Sequence, residues 1–142
     1  MIRVQSEPFD PGEALSGFTA RSSGGAVASF VGTVRSAGGV ERLDLQHYPG
    51  FTERELERLA AEVEAAFALT GILVVHRYGS LAPGEPIMFA ATAAPHRRAA
   101  LDGLDRLMDL LKTEAPFWKR ELRAGAWTWL DPPTPAGLQE TA

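Results

Sequence analysis

The sequence predicts an α+β fold with mostly antiparallel strands. Stretches of strand-like alternation take turns with stretches of helical periodicity, so neither class fills the chain. The turns at 48–51 and 79–85 are short and favour hairpins, whereas a parallel crossover needs about a dozen residues or more. Length is the third constraint. At 142 residues the chain can bury a core, and residues 1–130 are expected to form one domain with 131–142 as a flexible tail.

Residues 1–5 alternate weakly and predict an edge strand. Asp10-Pro11-Gly12-Glu13 predicts a helix start, with aspartate as N-cap and proline at the first helical position. That helix ends near Arg21, before a Ser22-Ser23-Gly24-Gly25 turn. The apolar, small-residue stretch 26–34 predicts a buried strand, with Gly32 marking a bulge. It delivers Arg35 into a glycine-containing loop at 36–40, expected to be mobile.

Leu43, Leu45 and His47 alternate with Asp44 and Gln46, a half-buried strand. Thr52-Glu53-Arg54-Glu55 reads as a capping box that opens a helix. Leu56, Leu59, Ala60, Val63 and Phe67 form its apolar stripe, and Gly71 closes it. Residues 72–78 are a β-branched strand, 79–85 a turn around Pro83-Gly84, and 87–94 an apolar strand. Pro95 opens the main helix. Its core stripe is Ala100, Leu101, Leu104, Leu107, Met108 and Leu111, with Asp102, Asp105 and Asp109 on the solvated face. Pro116 stops it, because proline lacks an N–H and restricts Ala115. Strands at 117–122 and 126–130 flank Ala124-Gly125, and the polar, proline-rich tail follows.

Composition narrows the function. With 45% hydrophobic and 23% charged residues, the chain is ordinary for a globular protein. No apolar run approaches the ~18 residues of a membrane span, and the N-terminus lacks a signal-peptide core, so the cytoplasm is the expected compartment. A net charge of −4 argues against general nucleic-acid binding. The absence of cysteine excludes disulfides, thiolate metal sites and a cysteine nucleophile. The chain therefore cannot carry sulfur as its own persulfide.

Against that acidic background, one stretch stands out. LKTEAPFWKRE at 111–121, with Arg123 just beyond, crowds Lys112, Lys119, Arg120 and Arg123 around Glu114 and Glu121. This local excess of cations predicts an anionic small molecule, with at least one lysine acting on it. Each residue also has an ordinary reading. Lys112, in the last helical turn, satisfies the helix dipole; as a functional group, its amine would be freed by nearby cations and partial burial. Lys119 shares a strand face with Phe117 and can snorkel past it. Arg35 is a surface arginine or a fork for phosphate or carboxylate. His96-Arg97-Arg98 is a solvated cap or an anion site at a helix N-terminus. The dipole makes cations there mildly unfavourable, which favours a function. His47 and His76 read as hydrogen-bonded core histidines. No histidine pair has metal-ligand spacing, so no metal site is predicted, and no cofactor. Gly24-Gly25 and Pro83-Gly84-Glu85 are turns and lack a nucleotide-loop pattern.

LKTEAPFWKRE resembles the signature of the large, catalytic subunit of molybdopterin synthase. GAVASFVGTVR, ending at Arg35, LQHYPGFTERELE (45–57), VVHRYGSLAPGE (74–85) and Pro95-His96-Arg97 match that family in the same order, over roughly 24–130. The resemblance implies an α/β-hammerhead fold with a small added β subdomain. It implies a reaction in which cyclic pyranopterin monophosphate receives two sulfurs and becomes the molybdopterin dithiolene. The sulfur would arrive as a thiocarboxylate on the C-terminal Gly-Gly of a small ubiquitin-like subunit. The match carries over to Thr33, Val34 and Arg35, to His96 and Arg97, to Lys112, and to Lys119, Arg120 and Glu121. By that resemblance Lys112 is the acid–base group beside the thiocarboxylate, and Lys119 polarises or deprotonates the pterin intermediate. Arg35, His96 and Arg97 hold phosphate and pterin. The His-Arg pair reaches the neighbouring protomer's pocket, implying a homodimer within a heterotetramer.

The sequence departs from the family in a short 36–40 loop, in Ala94-Pro95 before the His-Arg pair, and in Asp131-Pro132-Pro133, where family members can carry a pocket arginine. A rival reading is a non-catalytic anion- or pterin-binding interaction module, which would hold the pterin without converting it. Single-stranded nucleic-acid binding through Phe117-Trp118-Lys119-Arg120 is a third, and the overall acidity argues against it.

Overall fold

The computed structural model describes residues 1–130, so the expected tail at 131–142 lies outside the described residues. Eight strands and three helices follow in the order β1 (Ile2–Gln5), α1 (Pro11–Arg21), β2 (Ala26–Thr33), β3 (Arg42–His47), α2 (Phe51–Phe67), β4 (Gly71–Arg77), β5 (Gly79–Leu81), β6 (Pro86–Ala94), α3 (Arg97–Glu114), β7 (Phe117–Arg123) and β8 (Ala126–Trp129). They form two four-stranded sheets, ordered β1-β4-β6-β2 and β5-β3-β7-β8. Only β1 with β4 is parallel; every other pair is antiparallel. The α+β class is therefore as expected.

The first sheet is covered on both faces, which is why its central strands read as continuous apolar runs. Alternate residues separate the two sides. Leu73, Val75, Phe89, Ala91 and Ala93 meet Phe18 of α1. Ile72, Val74, Ala90 and Ala94 join the larger core with Leu56, Leu59 and Val63 of α2 and Leu107, Leu110 and Leu111 of α3. That core also takes Leu43, Leu45, Leu81 and Phe117 from the second sheet, so both sheets share it. Among the described residues, no helix is long and apolar enough to cross a membrane.

Several expectations hold in detail. Residues 2–5 form an edge strand. Asp10 caps α1, its carboxylate accepting from the backbone N–H of Gly12 at 2.8 Å. The register of β2 against β6 shifts between Gly32 and Thr33, where a bulge was expected.

Others need correction. Residues 26–34 do not form a buried strand: β2 is an edge, and Phe30 and Val31 are 41% and 42% exposed. An apolar run reports low polarity, not how many neighbours a strand has. Thr52 is not the cap of α2. Gly50 is, at φ 84°, and its N–H donates to Glu53 Oε1 at 3.0 Å. Thr52 instead lies buried inside the first turn. Its Oγ1 accepts from Tyr48 N at 2.9 Å and donates to Pro116 O at 3.2 Å, tying α2 to the turn after α3. The left-handed position ending α2 falls on Ala68, and Gly71 already belongs to β4.

The expected turn at 79–85 contains β5, which pairs with β3 and buries Leu81 fully. On α3, Leu101 is 51% exposed, while Gly103 and Leu110 face the core. Gly103 lets the helix come close: a Cβ there would stand 3.0 Å from Leu69 Cδ2. The leucine pattern could not show that the stripe passes through a glycine.

Candidate active site

A cavity of about 470 Å³ opens where the ends of β2, α3 and β7 converge. That size falls within the range of small-molecule sites. Pro116 creates the convergence. It stops α3 just after Lys112, and the chain reverses so that β7 runs back beside β3, with Lys119 opposite Leu45 and Glu121 opposite Leu43. Alternation along β7 then sorts the side chains. Lys119 and Glu121 face the cavity, whereas Trp118 and Arg120 do not line it. Thr33, Val34 and Arg35 enter from the end of β2. Val34 is buried, its N–H donating to Glu85 O and its carbonyl accepting from Gly84 N, both at 2.9 Å. This clamp beyond the bulge sets the direction in which Arg35 leaves the strand.

Three cations, Arg35, Lys112 and Lys119, thus meet one acid, Glu121. Glu121 is already engaged: it accepts from Arg123 Nη2 at 2.6 Å and Nε at 3.0 Å. Arg123 also donates to Gly38 O at 3.0 Å, so the 36–40 loop, expected to be mobile, is tied to β7. Among the described residues, the cavity therefore offers unpaired positive charge to an anion. Lys119 bears the consequence. Surrounding protein, followed by the charges of Lys112 and Arg35, pushes its pKa below the ordinary lysine range. Lys119 is solvent-accessible, because the cavity is open, yet its ammonium is crowded by protein.

The remaining expected site residues lie elsewhere on this chain. Arg120 is on the other face of β7, 2.8 Å from Asp44 and stacked 4.3 Å from the Trp127 ring centre. His96 and Arg97 line a separate hollow with Gly25 and Pro95. Fifteen residues of helix separate Arg97 from Lys112, about 22 Å at 1.5 Å per residue. His96 is the N-cap of α3 but makes no capping bond with its side chain, and the first turn holds no acid. The geometry leaves both side chains exposed and facing outward.

The sequence places His76 in the core and not in the site. His76 is buried, 8% exposed, as a core histidine should be, yet it lines the lysine cavity. Its ring stacks on Phe117, centroids 3.8 Å apart and 13° from parallel. Burial pushes its pKa down to about 4, with Lys119 and His47 adding to the effect. Nothing local in a β-branched strand distinguishes such a histidine from a packed one. Among the described residues, no group of His, Asp and Glu could hold a metal ion.

This arrangement can hold an anion and offers an amine with a lowered proton affinity beside it. The comparisons with known proteins agree in extent and in kind. The family model described as "MoaE protein" matches residues 4–114. A Caulobacter vibrioides protein named "Molybdopterin synthase catalytic subunit" is 45% identical over 134 residues, covering 93% of this chain and 89% of its own. The solved Burkholderia ambifaria molybdopterin biosynthesis MoaE protein superposes with a TM-score of 0.79 at 43% identity, over 93% of this chain and 89% of that one. A chain from the Helicobacter pylori complex of subunits 1 and 2 of molybdopterin-converting factor shares the fold, at TM-score 0.81 and 19% identity over 96% and 95% of the two chains. A family match spanning most of the described residues, with relatives this similar along nearly their whole length, means that the chain belongs to the MoaE protein family.

Proposed function

We propose that this chain is the catalytic subunit of a molybdopterin synthase, in which sulfur passes from a thiocarboxylated small subunit to cyclic pyranopterin monophosphate. The observation that carries the reading is the convergence of Lys112, Lys119 and Arg35 on one open cavity, in a chain 45% identical to a protein bearing that name. A substrate with a phosphate needs cations, and each sulfur transfer needs protons moved. When a thiocarboxylate gives up its sulfur it ends as a carboxylate, and that sulfur takes the place of an oxygen on the substrate, so an acyl–sulfur bond and a carbon–oxygen bond are both broken and each transfer requires acid–base help. Lys119, an amine held below its usual pKa, suits proton transfer on the pterin side of that work.

In this reading Arg35 takes the phosphate or pterin, and Lys112 serves the incoming thiocarboxylate as acid–base group. Lys119 polarises or deprotonates the pterin intermediate, while Thr33, Val34 and Glu121 shape the wall. His96 and Arg97 act on the neighbouring protomer's cavity, in a homodimer carrying a small subunit at each end. Their distance from Lys112 on their own chain and their outward exposure support that assignment. Arg120, held by Asp44, supports β7 in this reading and does not touch substrate directly. Residues 1–130 act as one domain around the core that both sheets share. A non-catalytic binding module is the less favoured alternative, since relatives of this similarity are named as catalytic subunits.

The test is incubation of the full chain with cyclic pyranopterin monophosphate and the thiocarboxylated small partner. Dithiolene product is expected. Binding of the pterin without conversion would favour the alternative.

A further inference from the structure

We propose that Nε2 of His76 accepts a hydrogen bond from an N–H of the heterocycle bound in the lysine cavity, making His76 a binding residue that selects for that heterocycle. The inference rests on the functional reading above.

The position is rigid. β4 is a central strand, and His76 sits in register with Val4 of β1 and Met88 of β6. Phe117 stacks on the ring at 3.8 Å, so the imidazole plane is held from the side. Its Nδ1 lies 2.9 Å from Arg77 O. A carbonyl only accepts, so Nδ1 carries the hydrogen. The groups facing the ring are cationic or neutral: Lys119 from β7 and His47 from β3. Among the described residues, no carboxylate stands with them to stabilise a second ring proton. The neutral tautomer then leaves Nε2 with a lone pair.

That lone pair is not enclosed. Among the described residues, Arg77 Nη1 is the only fully enclosed side-chain nitrogen or oxygen without a hydrogen-bond partner. His76 Nε2 makes no hydrogen bond within those residues either, so it keeps accessible surface, and the cavity is what the ring lines. The bond from Nδ1 to Arg77 O gives one ring nitrogen a structural task and leaves Nε2 without one.

The cavity's chemistry makes the acceptor valuable. In their charged forms Arg35, Lys112 and Lys119 donate and do not accept, and Glu121 is engaged twice by Arg123. A pterin-like heterocycle carries several N–H donors. His76 Nε2 is the acceptor that cations cannot supply, and it distinguishes such a ring from a simple phosphate.

The experiment measures binding of cyclic pyranopterin monophosphate to the full chain assembled with an unthiolated small partner, so that no turnover intervenes. His76→Phe keeps the stack and removes the acceptor. His76→Gln keeps an acceptor near the position of Nε2. His76→Phe is expected to lose roughly tenfold in affinity, the worth of about one net hydrogen bond, while His76→Gln stays within about threefold of wild type. Equal affinity for wild type and His76→Phe overturns the inference and leaves the functional reading standing. An equal loss in both variants also overturns it, because that is the mark of disturbed packing. A wild-type complex that does not bind the pterin phosphate overturns both. Should His76→Phe fail to fold, pterin phosphates methylated at one N–H at a time are tested on the wild type. At least one should lose about tenfold, and uniform binding across the series overturns the inference.

Discussion

Acid should destabilise this protein through His76, by an amount that follows from its surroundings. The buried imidazole takes a proton only near pH 4, against an ordinary value of 6.5. Between those values the unfolded chain binds more protons than the folded one, so stability rises with pH across that window. The neutral-ring contribution is therefore intact above about 6.5, lost progressively on acidification, and gone below about 4. At about 1.4 kcal/mol per pH unit, the loss amounts to roughly 3 kcal/mol, a large share of a typical domain's stability. Glu85 contributes in the same direction. Its carboxylate is held below the usual range mainly by the Ala82 N–H, with Arg77 and Arg42 assisting, and it too must be protonated in acid. A variant isolates the histidine. Urea unfolding from pH 7.5 to 4 is compared for wild type and His76→Gln, which lacks the titrating ring but keeps Glu85. The wild-type curve is expected to fall more steeply by about 3 kcal/mol over that range. Parallel curves would show that the ring is not held neutral and would remove the argument for a lone pair facing the cavity.

The chemistry of the lysines separates by substitution. Lys112→Arg keeps charge and dipole interaction but cannot deprotonate near neutral pH, so turnover should fall roughly 10²- to 10⁴-fold, as with Lys112→Ala, in folded protein. Near-wild-type turnover of Lys112→Arg would leave that residue an electrostatic or capping role. Lys119→Arg is expected to retain more activity than Lys112→Arg if Lys119 chiefly supplies charge to the pterin. Mixing Lys112→Ala chains with Arg97→Ala chains should restore activity, because one cavity per dimer then holds both intact residues; no recovery after proven chain exchange would mean each cavity is built from one chain. Removing the last two glycines of the small partner should abolish turnover, and unchanged turnover would contradict delivery of sulfur by a threaded tail.

Much of the architecture was legible from short-range rules. Asp10-Pro11 marks a helix start because an N-cap and a fixed φ act within one turn. Pro116 marks a helix end for the same kind of reason. The stripe of α2 and the alternation that places Lys119 with Glu121 follow from backbone period alone. The signature around 111–121 and its companion segments mark the MoaE family from sequence alone. What stayed hidden depends on residues far apart in sequence. Whether β2 is central or an edge depends on which strands lie beside it, and Phe30 and Val31 look the same in either case. β5 is too short to register by itself and exists through its pairing with β3. Leu101 was expected in the core and is exposed, because the packed stripe of α3 is set by Leu69 against Gly103. Alternation puts Arg120 on the face opposite Lys119, and only the tertiary structure shows that Asp44 and the β8 tryptophans occupy it there. His76 became part of the cavity only when β4, β7 and α3 were brought together. Sequence determined the periodicity, the caps, the charge excess and the family. Tertiary structure decided which of those side chains converge, because convergence is set by long-range burial, and local propensity carries no record of it.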